Sequence, residues 1–257
     1  MISTGIAPVS ANALDALGQM GVRRINFSTD DPWNKAHMAA WFFDALRRYD
    51  TVFTPRRANV DDFSTHGCAD VRYLPFGYDP QLFPPATAMT GAAASREILF
   101  VGGADQDRIQ FFRDFSAQGM SPTLVGGYWE KVEDLAAFAI GQLAAQELRS
   151  ITANAAVNLC LVRRANRDGH VMRSLEIPAV GGFMIAEDTE EHRALFGAEG
   201  ENTLYFDSPS QAASKAAWAL AHPDERRRMS NSCHQLIISG GHTYGDRLRH
   251  MLDDAKP

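Results

Sequence analysis

Short runs rich in β-branched and aromatic residues alternate with helix-length segments along this chain, and the alternation stops once and then restarts. That rhythm constrains the fold more than any single residue does. A strand, a helix and a further strand in succession build a parallel sheet with right-handed crossovers. Arg24-Ile25-Asn26-Phe27-Ser28, Thr51-Val52-Phe53-Thr54 and Val71-Arg72-Tyr73-Leu74 read as strands. Between them, residues 37–48 carry Met38, Trp41, Phe42 and Leu46 at helical spacing, and residues 56–66 read as a second helix. Thr4-Gly5-Ile6-Ala7-Pro8 reads as the turn of a strand-to-helix unit already under way, so the first sheet is expected to be incomplete.

The pattern breaks over residues 75–96. Pro75, Pro80, Pro84 and Pro85 precede Thr90-Gly91-Ala92-Ala93-Ala94-Ser95, and proline suits neither a helix interior nor a central strand. The alternation resumes with expected strands at Ile98–Val101, Thr123–Val125, Ala156–Leu161 and Phe183–Ala186. Helices are expected at 106–118, within Asp168–Ala179, and at 208–221, 223–238 and 243–253, with helical sequence also running through Leu148. The expected fold class is α/β with two Rossmann-like domains. Residues 1–85 form a partial N-terminal domain, 86–96 a linker and 97–257 a C-terminal domain.

The formal net charge of -6 argues against a nucleic-acid partner, whose phosphates call for a positive field. Cys68, Cys160 and Cys233 are odd in number and far apart, which argues against zinc and a disulfide framework and favours a reducing cytoplasm. No apolar run reaches the roughly 18 residues of a membrane span, and the N-terminus lacks the signature of a signal peptide. The eight histidines have no HExxH or CxxC companion, so no bound metal is expected.

The densest chemical signal lies between Asp168 and Glu187. A helix there follows a strand, and its N-terminus offers free N–H groups and partial positive charge to a phosphate. Arg173 can clamp a diphosphate, and Glu176, three residues on, can accept two ribose hydroxyls. A plain surface ion pair is the structural alternative. Gly181 and Gly182 follow, with a tight turn as their simplest use. Gly102 and Gly103 end a strand where open α/β sheets bind ligands, with Arg108 close behind, though a lone Gly-Gly also reads as a turn. This is not a GxGxxG fingerprint, which counts against a nicotinamide-dependent oxidoreductase. Asp30 and Asp31, ahead of Pro32, read as a helix cap.

Taken in order, these segments resemble glycosyltransferases of the GT-B fold, especially the spore-maturation CgeB-like branch. The resemblance rests on Ile98–Gly103 with Arg108, Leu124–Trp129, Asn158-Leu159, Arg173–Phe183, His222–Arg226, and His242-Thr243-Tyr244 with Arg247. Ser28–Trp33 and Tyr73–Asp79 extend it into the first half. It implies transfer of a sugar from a nucleoside-diphosphate-sugar donor to an unknown acceptor, with retention and without metal or other cofactor. The donor would sit at Gly102, Gly103, Arg108, Arg173, Glu176, Gly181 and Gly182, in a cleft between the domains. Related retaining enzymes carry two glutamates separated by seven residues. Glu176 matches the second, which typically holds the ribose, and Asp168, one methylene shorter, stands as the catalytic residue in the place of the first, which faces the donor sugar or its phosphate. Asp30 and Asp31 would lie on the acceptor side. A non-catalytic nucleotide-sugar-binding or partner subunit is the alternative, motivated by the short N-terminal half and by Asp168.

Overall fold

The structure is a computed structural model that describes residues 1–84 and 97–253. The expected linker at 86–96 therefore falls outside the described residues. Two compact units emerge, each built on a parallel sheet. Met1–Phe76, Val162–His170 and Gly245–Pro257 form the first, and Gly77–Leu161 and Val171–Tyr244 the second.

In the first unit the strands are β1 (Ile2–Thr4), β2 (Ile25–Phe27), β3 (Thr51–Thr54) and β4 (Val71–Tyr73), paired in chain order. The crossovers carry α1 (Ala11–Gln19), α2 (Ala40–Leu46) and α3 (Arg57–His66). Every residue of β3 is buried, as expected for an inner strand of a parallel sheet covered on both faces. Leu14, Phe42, Leu46, Tyr49, Val52 and Phe63 fill the core between sheet and helices. The sheet has four strands where the sequence suggests three, because Ile2–Thr4 pairs in parallel with Ile25–Phe27. Three residues are too few for any period to register.

The helix expected from residue 37 begins at Ala40 instead. Asn34 holds the approach as a turn, accepting the Ala36 N–H on Oδ1 at 3.1 Å and the His37 N–H on its carbonyl at 2.9 Å. The helix cap expected at Asp30 or Asp31 is likewise a turn. Asp31 accepts the Trp33 N–H at 3.0 Å, and no helix follows.

The second unit contains β5 (Ile98–Val101), β6 (Pro122–Val125), β7 (Ala139–Gly141), β8 (Val157–Cys160), β9 (Met184–Glu187) and β10 (Leu204–Phe206). Their order across the sheet is β10-β9-β8-β5-β6-β7. Counted from β5, this is the 3-2-1-4-5-6 order of a doubly wound dinucleotide-type fold. Helices α4 (Gln106–Ala117), α5 (Ala145–Asn154), α6 (Met172–Ala179), α7 (Glu190–Phe196), α8 (Pro209–Ala221) and α9 (Pro223–Ser239) cover it, whereas α10 (Tyr244–Asp253) belongs from Gly245 onward to the first unit. Trp129 meets Phe100 and Phe112 edge to face in the core, with ring centroids 6.0 and 5.5 Å apart, and the two phenyl rings tilt against each other at 4.9 Å. The helical stretch expected up to Leu148 is instead two 3-10 turns, the edge strand β7, and then α5. Tyr128, at φ 74°, turns the chain there so that Trp129 is fully buried.

Candidate functional site

In the second unit, β5 and β8 are adjacent parallel strands whose crossovers run to opposite sides of the sheet. That is the topological switch point, outside whose carboxyl ends open α/β sheets receive ligands. Gly102 and Gly103 follow β5, and α6 follows the loop that leaves β8. Topology therefore brings both glycines and the α6 residues to the ligand-binding edge.

The glycine loop is held by backbone contact. The Gly102 N–H donates to Val125 O at 2.8 Å, and the Ala104 N–H to Gly127 O at 3.0 Å. Trp129 Nε1 donates to Gly102 O at 2.7 Å, and Arg108 Nη1 to Gly103 O at 3.1 Å. Arg108 is buried, with its guanidinium 5.3 Å from the centre of the Phe100 ring. Here it braces the glycine loop. A β-carbon on Gly102 would come within 2.8 Å of the Phe100 ring, so the loop can lie this close only as glycine.

Helix α6 brings Arg173 and Glu176 together as an ion pair. This is not an ordinary surface pair, since the Glu176 side chain is 11% exposed and that of Arg173 30%. Burial pushes the Glu176 carboxyl up, against the pull of Arg173. Arg173 also lies over the Phe83 ring, 5.6 Å from its centre. The start of α6 is anchored from below by Ser174. Its Oγ accepts the Val171 N–H at 3.0 Å and meets His192 Nε2 at 2.8 Å. His192 Nδ1 lies 2.7 Å from Glu187 O, which makes Nδ1 the donor and Nε2 the acceptor. Sequence reading missed this pair, because a buried Ser and His eighteen residues apart carry no local signal.

Gly181 and Gly182 close the helix in a structural way. Gly181 takes φ 78°, and a β-carbon on Gly182 would stand 2.8 Å from Thr152 O of α5. Gly182 thus packs the turn after α6 against the backbone of α5.

The remaining candidates lie in the first unit. Asp168 is buried and ion-paired with Arg56. Burial pushes its carboxyl up, against the pull of Arg56. Asp31, 1% exposed, accepts from Arg167 Nε at 2.7 Å and Nη2 at 3.0 Å, and from Asn59 Nδ2 at 3.0 Å. It is fully engaged in holding its own loop. Asp30 instead lines an open hollow with Thr4, Gly5, Thr29 and His37, at the carboxyl ends of β1 and β2. His170 is buried, and its Nε2 accepts the Phe76 N–H at 3.0 Å. Among the described residues, no three His, Cys, Asp or Glu side chains are grouped to hold a metal ion, and no helix is long and apolar enough to cross a membrane.

Two parallel-sheet Rossmann-like units, the second with glycines at its strand ends and a carboxylate-bearing helix at its switch point, give the chain the fold of solved GT-B glycosyltransferases. The chain belongs to the glycosyl transferase-like family, whose model matches residues 108–253. Similar solved structures include sucrose-phosphate synthase from Thermosynechococcus elongatus (14% identity, 99% of this chain and 74% of that one, TM-score 0.67). They also include HepE from Anabaena in complex with UDP (13% identity, 95% and 77%, TM-score 0.68). A third is α,α-trehalose 6-phosphate synthase from Burkholderia multivorans (13% identity, 95% and 69%, TM-score 0.66). No curated protein matches the sequence.

Proposed function

We propose that the protein transfers a sugar from a nucleoside diphosphate donor to an acceptor hydroxyl or amine, with retention at the anomeric carbon and without a metal ion. The observation that carries this reading is the switch point of the second sheet, which has Gly102 and Gly103 just after β5 and the Arg173–Glu176 pair on the helix after β8. The glycines let a diphosphate reach the backbone, and Glu176 accepts the ribose hydroxyls. Arg108, Arg173 and the N–H groups opening α6 meet the charge that develops on the leaving diphosphate. In the transfer, the bond from the anomeric carbon to the diphosphate oxygen breaks. A bond to the acceptor atom forms on the same face, and the acceptor proton leaves with the diphosphate.

Asp168, eight residues before Glu176, is the carboxylate we assign to the donor sugar, and retention follows from that pair by resemblance to two-acid enzymes. Asp30 is assigned to the acceptor side, on the open hollow it lines. No metal is needed in this reading, because helix N-termini and arginines neutralise the diphosphate. Uridine nucleotides come first as donors, because the HepE structure holds UDP. The test is a panel of UDP-sugars with hydroxyl and amine acceptors in the presence of a chelator. Release of UDP, with a product of unchanged anomeric configuration, is expected. Donor binding without transfer to any acceptor would favour a binding subunit, and inversion or a metal requirement would overturn the mechanism.

A further inference from the structure

The segment between β8 and α6 folds with the first unit, where side chains all along it are tied down. Asn166 Oδ1 accepts from Asn34 Nδ2 at 2.7 Å. Arg167 spans Asp31 and Asp62, reaching Asp62 with Nη1 at 2.8 Å. Asp168 meets Arg56 Nε, and His170 meets the Phe76 N–H. Of these anchors, the Arg56–Asp168 pair is built differently. Arg56 opens α3 as its N-cap residue and is 1% exposed. Its Nε takes Asp168 Oδ1, and its Nη2 donates to Thr29 O at 2.8 Å. Its Nη1 is buried with no hydrogen-bond partner among the described residues.

An arginine placed for stability alone would grip the carboxylate with two parallel N–H bonds, the stronger arrangement. It would not leave a buried donor unmatched, which costs stability. A buried ion pair is in any case weak evidence for a stabilising role. We propose that Arg56 is a positioning residue for glycosyl transfer, fixing the charge and orientation of the Asp168 carboxylate. This rests on the reading that assigns Asp168 to the donor sugar. The groups that face Asp168 are Arg56 from the start of α3, with His170 and Arg163 from its own loop. Burial raises the carboxyl, and Arg56 provides the largest opposing pull. Removing that charge leaves a buried acid that holds its proton to higher pH.

The experiment compares pH profiles of kcat for wild type, Arg56→Gln and Arg56→Lys, with donor KM measured alongside. Arg56→Gln is expected to lower kcat, leave donor KM unchanged, and move the acid limb up by about one pH unit or more. Arg56→Lys, which keeps the charge, is expected to hold the limb near its wild-type position. A slower Arg56→Gln enzyme with the wild-type acid limb would show a merely structural role and overturn the proposal. If Arg56→Gln does not fold, 13C titration of the Asp168 carboxyl in the wild-type protein decides. An ionised carboxylate at the pH of activity supports the proposal, and a protonated one overturns it. Asp168→Asn separates the two levels of inference. Transfer at the wild-type rate by that variant would refute the role of Asp168 itself, and Arg56 would lose its function with it.

Discussion

Gly126 lies so close to Gly102 that a β-carbon on Gly126 would stand 2.4 Å from the Gly102 carbonyl oxygen. The loops after β5 and β6 thus touch backbone to backbone, and Gly126 adopts φ 138° to allow it. Gly126→Ala is expected to destabilise by about 1–3 kcal/mol from backbone strain alone, with the clash adding to it. Gly119→Ala is the control. It also has positive φ but open space around it, so only the strain remains. Urea unfolding of both variants checks this, and equal losses would mean that the contact between the two loops yields freely.

The three thiols should be silent in the native protein. Cys68, Cys160 and Cys233 are buried and form no disulfide. Burial pushes the Cys68 thiol up to about 11 and those of Cys160 and Cys233 up to about 12. The thiolate is the reactive form, so a disulfide reagent at pH 8 should label none of them until denaturant is added. Rapid labelling of one thiol in buffer would contradict the packing around that residue.

Asp31 should make stability depend on acid pH. Burial raises its carboxyl, but hydrogen bonds from Arg167, Asn59 and the Trp33 N–H outweigh that and hold it below its ordinary value. A group lowered in the folded state contributes stability above its unfolded value, about 3.9, and loses it as pH falls through the folded value. Asp31→Asn should therefore be less stable than wild type at pH 7, and the gap should close below about pH 4. Unfolding curves at both pH values measure it, and a gap that stays constant would remove Asp31 from the acid transition.

Much of the architecture was legible in the sequence where local pattern is strong. Thr51–Thr54 and Ile98–Val101 are strands with the bounds that composition alone suggests. The paired glycines at 102–103 mark a strand end as expected. The three-residue strands β1, β7 and β10 escaped, because they depend on partners in space more than on their own period. The site was legible only in part. Arg173 and Glu176 lie one helical turn apart, and spacing alone pairs them. Asp168 meets Arg56 across 112 residues, and Arg167 meets Asp31 across 136, separations at which no local pattern exists.

The most direct test of nucleotide-sugar binding at the second sheet is a calorimetric double cycle on Glu176. Wild type and Glu176→Gln are titrated with a nucleoside diphosphate and with its 2′,3′-dideoxy counterpart. A hydrogen bond to a charged group contributes roughly 1.5–3 kcal/mol, about ten- to hundredfold in affinity. That loss is predicted for the ribose nucleotide, with a much smaller one for the dideoxy form. Equal losses with both nucleotides would leave Glu176 as a partner of Arg173 alone and contradict the donor site.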